Sequence, residues 1–150
     1  MVKVDQVAEE IAKKAHKGQK DKAGKDYFSS HLSFVANSLS NPLQRAIGFL
    51  HDVIEDTEYT KETLYNELIV KGVDELEADI VVSTVDILSR KENESYNSYI
   101  KKIKNNSLAR IVKIADMKHN SDLSRLETTN DEDIKRTNKY KDKIKFLESI

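Results

Sequence analysis

One proline and four glycines in 150 residues constrain the fold of this chain more than any other feature. A β-sandwich or barrel turns about every 8–12 residues and places glycine and proline at those turns. So few breakers, with little strand-like alternation, predict helices joined by short polar connections. The expected architecture is an all-α, single-domain helical bundle spanning residues 1–150, a length that buries a usable core.

Apolar periodicity gives the individual helices. Val7, Ala8, Ile11, Ala12 and Ala15 recur at helical spacing from Asp5 to His16, with Gly18 as the stop. The polar stretch Gly18 to Ser30 reads as a loop into a second helix, Ser30 to Leu39, with Leu32, Phe34 and Val35 as core positions. Pro42 stands where a first-turn proline is tolerated, and Ala46, Ile47, Phe49, Leu50, Val53 and Ile54 make a third helix. Thr60 caps Lys61 to Val70, and Asp74 with Glu77 resembles a capping box ahead of Leu76, Ile80, Val81, Val85 and Leu88. Tyr96, Tyr99, Ile100 and Ile103 mark another helix, Leu108 to Met117 an apolar run, and Ile134 to Ile150 a charged terminal helix with Tyr140, Ile144 and Leu147 inward.

Composition narrows function by exclusion. Lys+Arg number 25 against 26 Asp+Glu, a formal charge of -1, too balanced for binding nucleic acid or anionic membrane through bulk positive charge. The absence of cysteine removes disulfides, thiolate nucleophiles and Cys-based zinc or iron–sulfur sites. Metal ligands are left to His, Asp, Glu and Asn. Charges interrupt the first residues every few positions, leaving neither a signal-peptide core nor a spanning segment. The expectation is a cytoplasmic protein with no nucleic-acid and no membrane partner.

Chemistry concentrates in the run His51-Asp52-Val53-Ile54-Glu55-Asp56. On one helix, residues four apart share a face, which sets His51 above Glu55 and Asp52 above Asp56. His51 and Asp52 point about 100° apart, so one ion reaches both only from between their directions. Acids toward a helix C-terminus oppose its dipole, and a bound cation resolves the conflict. Asp116 lies in an apolar run, where a carboxylate is costly to bury unless paired or metal-bound, and His31 opens the second helix. His31, His51, Asp52 and Asp116 are the expected metal ligands. Two nitrogens and two oxygens suit Mn²⁺, Fe²⁺ or Zn²⁺ better than Ca²⁺.

In this order the four residues resemble the HD-domain metal-dependent phosphohydrolases. The blocks AHKGQKDKAGKDY (Ala15 to Tyr27), LHDVIEDT (Leu50 to Thr57), VKIADMKHNSDLSRL (Val112 to Leu126) and RTNKY (Arg136 to Tyr140) are similar, more narrowly, to the hydrolase domain of RelA/SpoT homologues and their stand-alone small relatives. The resemblance runs over nearly the whole chain. It implies that the four ligands hold Mn²⁺, that Glu55 and Asp56 are the acid/base pair beneath a nucleophilic water, and that Asn120, Arg136 and Tyr140 face a guanosine nucleotide. It also implies cleavage of the 3'-pyrophosphate of guanosine tetra- or pentaphosphate. Lys22, Lys113 and Arg136 are candidates for neutralising phosphate charge.

The chain departs from that pattern in three places. Asp21-Lys22 stands where an Arg-Lys pair is usual, Leu32 replaces a proline, and the stretch from Tyr27 to His31 is one residue longer. Asp21 keeps open a nucleotide phosphomonoesterase; a non-catalytic metal- and nucleotide-binding regulator is the other alternative, against which the retained Glu55 and Asp56 argue. Alarmone synthesis has no room in 150 residues. Among neighbouring residues, His16 reads as a cation suited to the end of the first helix, and His119 as a surface residue. Lys113 is open between pairing with Asp116 and touching substrate. Tyr96, Tyr99 and Tyr140 read as core-edge residues with hydroxyls in water.

Overall fold

The computed structural model describes residues 2–122 and 130–149. Among the described residues there is no strand, and an isolated antiparallel bridge pairs Lys20 with Asp26. The order is α1 (Val4–Ala15), a π-helical turn (Phe28–Leu32), α2 (Ser33–Asn37), α3 (Pro42–Leu50), α4 (Val53–Asp56), α5 (Lys61–Val70), α6 (Glu75–Leu88), α7 (Tyr96–Lys104), α8 (Ser107–Asn120) and α9 (Asp131–Glu148). This is the all-α bundle that the scarcity of turn formers predicts.

Local chemistry sets most helix ends. Asn41, Thr60, Asp74, Ser95, Asn106 and Asn130 each accept a backbone N–H from the first turn that follows. Thr60 and Asn130 complete reciprocal capping boxes with Thr63 and Asp133, whereas Asp74 accepts from Leu76 and Glu77 without a return bond. After α1, Gly18 adopts φ +87°, a left-handed conformation open to glycine at little cost. One connected apolar core includes Ile11, Leu32, Ile47, Leu50, Ile103 and Leu147. Helix α3 packs against α1, α2, α6 and α8, and α8 also meets α7 and α9, so the break that follows α3 at His51 and Asp52 lies beside α8, which carries Lys113, Asp116 and Asn120. No helix among the described residues is long and apolar enough to cross a membrane.

Four local expectations change. The second helix begins as a π turn, in which Ser33 N–H donates to the carbonyl of Phe28, five residues back. A π turn takes up one more residue than an α turn, which accommodates the longer stretch between Tyr27 and His31. The third helix stops at Leu50 and restarts at Val53, because Asp52 sits at φ −103°, ψ 1°, outside helical geometry. Phe34 and Leu76 are exposed rather than in the core. Leu76 lies off the inward face made by Ala78, Val81, Val82, Val85 and Leu88, while Phe34 covers an imidazole described below. The last helix starts at Asp131 because the Asn130 cap precedes the apolar pattern.

Candidate metal centre and adjoining cavity

The break after Leu50 builds the centre. On a continuous helix adjacent side chains diverge by about 100°; here His51 Nε2 and Asp52 Oδ2 approach to 3.2 Å. The predicted stacking of His51 over Glu55 on one straight helix is corrected accordingly. From α8, Asp116 Oδ1 comes within 3.3 Å of His51 Nε2 and 2.8 Å of His31 Nε2. His31, His51 and Asp52 each offer a ligand atom, all within 4.8 Å of one another. The structure thus brings together the four residues singled out from sequence.

The donor chemistry fits a divalent cation. His51 Nδ1 donates to the Gly48 carbonyl at 2.6 Å, so in the neutral ring, the form that binds a metal, Nε2 is the bare nitrogen. That buried Nε2 has no hydrogen-bond partner, despite two carboxylates beside it. Separations near 3 Å match neighbouring positions around an ion with bonds of about 2.0–2.2 Å. Burial opposes charge on Asp116, but the Lys113 ammonium and then His51 outweigh it and hold its pKa well below the carboxylate range. Asp52 is likewise lowered, with His51 overcoming its burial and the Tyr27 hydroxyl donating to it. Burial works against a proton on His51, and Asp52 and Asp116 more than offset it, raising its pKa well above the usual imidazole value.

Supporting groups surround these atoms. Lys113 Nζ pairs with Asp116 Oδ2 at 3.2 Å, which resolves its two readings toward the carboxylate. Asn120 Nδ2 donates to Asp116 Oδ1 at 3.1 Å. Glu55 and Asp56 lie at the solvent-facing side of the break. Crowding by the protein, with the Asp52 charge adding to it, raises both pKa values. Glu55 accepts the Arg90 backbone N–H, and Gln19 bridges His16 Nδ1 at 2.8 Å to Asp56 Oδ2 at 3.2 Å.

Beside the centre lies a cavity of about 340 Å³ whose lining includes Lys22, Tyr27, His31, Asn120, Arg136 and Tyr140. Lys22, Asn120, Arg136 and Tyr140, four of the five residues expected at the substrate, therefore border one space, and Lys113 does not line it. Lys22 and Arg136 both reach Asp133 Oδ1, at 2.8 and 3.0 Å. Hydrogen bonds from Lys22, then from the Asn130 backbone, lower the Asp133 pKa to about 2. Asp21 braces its own loop: Oδ1 accepts the N–H groups of Ala23 and Lys25, each at 2.9 Å, and Oδ2 the Ser30 hydroxyl at 2.7 Å. An arginine could not accept those bonds.

His16 does stand at the end of α1, where it is buried and bonded to Gln19. Two bystander readings are overturned. His119 is buried against His31. The Tyr99 hydroxyl donates to the Leu88 carbonyl inside the protein, and burial pushes its pKa up to about 12. Periodicity also gave no sign of Tyr27 or Asp133. Tyr27 follows an irregular loop, and Asp133 signals only through its spacing from the Asn130 cap and from Arg136.

No family model matches the chain. Over 122 residues it is 29% identical to the protein named GTP pyrophosphokinase of Streptomyces coelicolor, a match covering 75% of this chain and only 14% of that protein's length. A solved structure described as "A metazoan ortholog of SpoT hydrolyzes ppGpp and plays a role in starvation responses" superposes with a TM-score of 0.76 at 18% identity, covering 99% of this chain and 88% of the other. The chain has the fold of that hydrolase.

Proposed function

We propose that this chain is a divalent-metal-dependent hydrolase that removes the 3'-pyrophosphate of guanosine tetra- or pentaphosphate, acting in the cytoplasm with Mn²⁺ as its metal. The observation that carries the reading is the buried Nε2 of His51, without a hydrogen-bond partner, aimed between Asp52 and Asp116 and next to His31. The shared fold with a ppGpp-hydrolysing protein supports the choice of substrate. His31, His51, Asp52 and Asp116 would hold the ion. When bound, a divalent cation supplies Lewis acidity, making a water acidic enough to furnish hydroxide near neutral pH and drawing charge from a phosphoryl oxygen.

The remaining work falls to this chain's side chains. Lys113 keeps Asp116 ionised and oriented. Lys22 and Arg136 face the cavity as cations for phosphate, exchanging Asp133 for the substrate's oxygens. Asn120 and Tyr140 line the same space for the nucleoside. Glu55 and Asp56, with raised pKa values, take a proton from the attacking water and return one to the leaving 3'-oxygen. Neighbouring carboxylates titrate as a pair, so the two roles belong to the dyad. Water adds to phosphorus, the bond to the 3'-oxygen breaks, and the products are GDP or GTP and pyrophosphate.

Incubating the Mn²⁺-loaded protein with a panel of nucleotides that includes guanosine tetraphosphate tests this directly. Pyrophosphate and GDP are the expected products. Orthophosphate would select a phosphomonoesterase, and no turnover on any member of the panel would select a binding protein.

A further inference from the structure

His119 and Phe34 have no part in the scheme above, and their arrangement is specific. His119 is 6% exposed, and its Nδ1 lies 2.8 Å from the Nδ1 of His31. The ring centroids are 5.0 Å apart and the planes differ by 19°. With the nitrogens so close, that centroid separation means the rings meet edge to edge and nearly in plane. Phe34 stacks on His119 at 4.1 Å and 13°. Phe34 is itself 57% exposed, so it covers the imidazole more than it buries itself.

Two neutral imidazoles joined nitrogen to nitrogen share one hydrogen, one ring donating and the other accepting. The other nitrogen of His31, Nε2, faces Asp116 at 2.8 Å and belongs to the metal centre. An imidazole binds a cation through a lone pair, so a ligating Nε2 puts the His31 hydrogen on Nδ1. His31 then donates, and His119 Nδ1 must be the bare acceptor, with the His119 hydrogen on Nε2. With no cation the same two contacts are met by the reverse pairing, His31 Nε2–H donating to Asp116 and His119 Nδ1–H donating to His31, so ligation of Nε2 is what moves the hydrogen to Nδ1. The Gly48 carbonyl is the corresponding acceptor for His51.

We infer that His119 is a positioning residue that accepts the Nδ1 hydrogen of a cation-ligating His31 and so holds that ring with Nε2 toward the divalent cation, while Phe34 holds the His119 ring in plane. This rests on the reading of His31 as a ligand. The acceptor, and not the bulk of the ring, is what His31 needs. Asparagine at 119 can set an amide oxygen where Nδ1 stood, whereas leucine fills the space with no acceptor.

Calorimetric titration of Mn²⁺ into the metal-stripped full chain compares wild type, His31→Ala, His119→Asn and His119→Leu. His119→Leu is expected to bind about 10–100-fold more weakly than wild type, the usual effect of removing a partner that orients a ligand. His119→Asn should recover most of that loss, and His31→Ala should lose binding. Nitrogen-15 NMR of the wild type loaded with diamagnetic Zn²⁺ should find the His31 hydrogen on Nδ1, an observation that needs no variant to fold. Wild-type affinity in His119→Leu alongside weak binding in His31→Ala overturns the inference alone. Equal weakness of the Asn and Leu variants, or a His31 hydrogen on Nε2 in the loaded protein, also overturns it. Unchanged binding in His31→Ala removes the ligand reading and the inference with it.

Discussion

His51 and Asp52 are neighbours in sequence that meet in space only because the backbone leaves the helix between Leu50 and Val53. Their nearness to Asp116 makes each side chain a condition for the others. Truncating His51 removes the bare nitrogen and leaves two carboxylates facing each other without a cation. His51→Ala is therefore expected to lose both bound metal and activity. Glu55 stands outside the cluster and bonds to the Arg90 backbone, so Glu55→Ala should keep its metal while turnover falls by about 10²–10⁴-fold, the range for loss of a general acid or base. Metal content by mass spectrometry and kcat on the same preparations separate the two effects; equal metal loss in both variants would move Glu55 into the ligand set. His31, His51, Asp52 and Asp116 were legible as a group because buried or helix-opposing charges demand a reason in any fold. His119 was not, since nothing in its neighbours' spacing tells a buried imidazole from a surface one.

Helices α3 and α9 each fix one side of the site through a single close feature. A Cβ at Gly48 would lie 3.0 Å from the Ala36 Cα and 3.0 Å from Leu39 Cδ1, and the Gly48 carbonyl also holds His51. Gly48→Ala is expected to cost about 1–3 kcal/mol by overpacking, read from urea unfolding, and to weaken Mn²⁺ binding by tilting the carbonyl. On α9, the Asp133 carboxylate ties Lys22 and Arg136 together and completes the helix cap. Its pKa is lowered to about 2 from an ordinary value of about 3.9, so its ionised form favours the folded state. That contribution is complete above about pH 4 and disappears as the pH falls toward 2. Asp133→Asn should accordingly be less stable than wild type at pH 7, with the gap closing across that acid window in parallel urea titrations. A constant gap down to pH 2 would mean the carboxylate's charge is not what holds α9.

At the scale of the molecule, the metal centre draws on the π turn, the α3–α4 junction and α8, segments separated by up to 85 residues. A cation held there would cross-link the bundle and bind the folded chain in preference to the unfolded one. Mn²⁺ at 100 times its Kd should then add about 2.7 kcal/mol of stability, seen as a rise in Tm that His51→Ala lacks. The rise should shrink as the pH is lowered, beginning above the ordinary imidazole value of about 6.5, because the raised pKa of His51 lets a proton compete for Nε2. A Tm indifferent to Mn²⁺ at neutral pH would leave the centre without its ion.

What the amino-acid order determined by itself was local: helices from the shortage of Gly and Pro, their starts from Thr60, Asp74 and Pro42, and the residue types able to hold a cation. Each of these depends on neighbours within a turn or two. Tertiary structure decided the break at Asp52, the π turn before His31, and the burial of His119 under Phe34. Those features follow from contacts between segments far apart in the chain, where a side chain's surroundings, and with them its charge and hydrogen position, come from packing that periodicity does not encode.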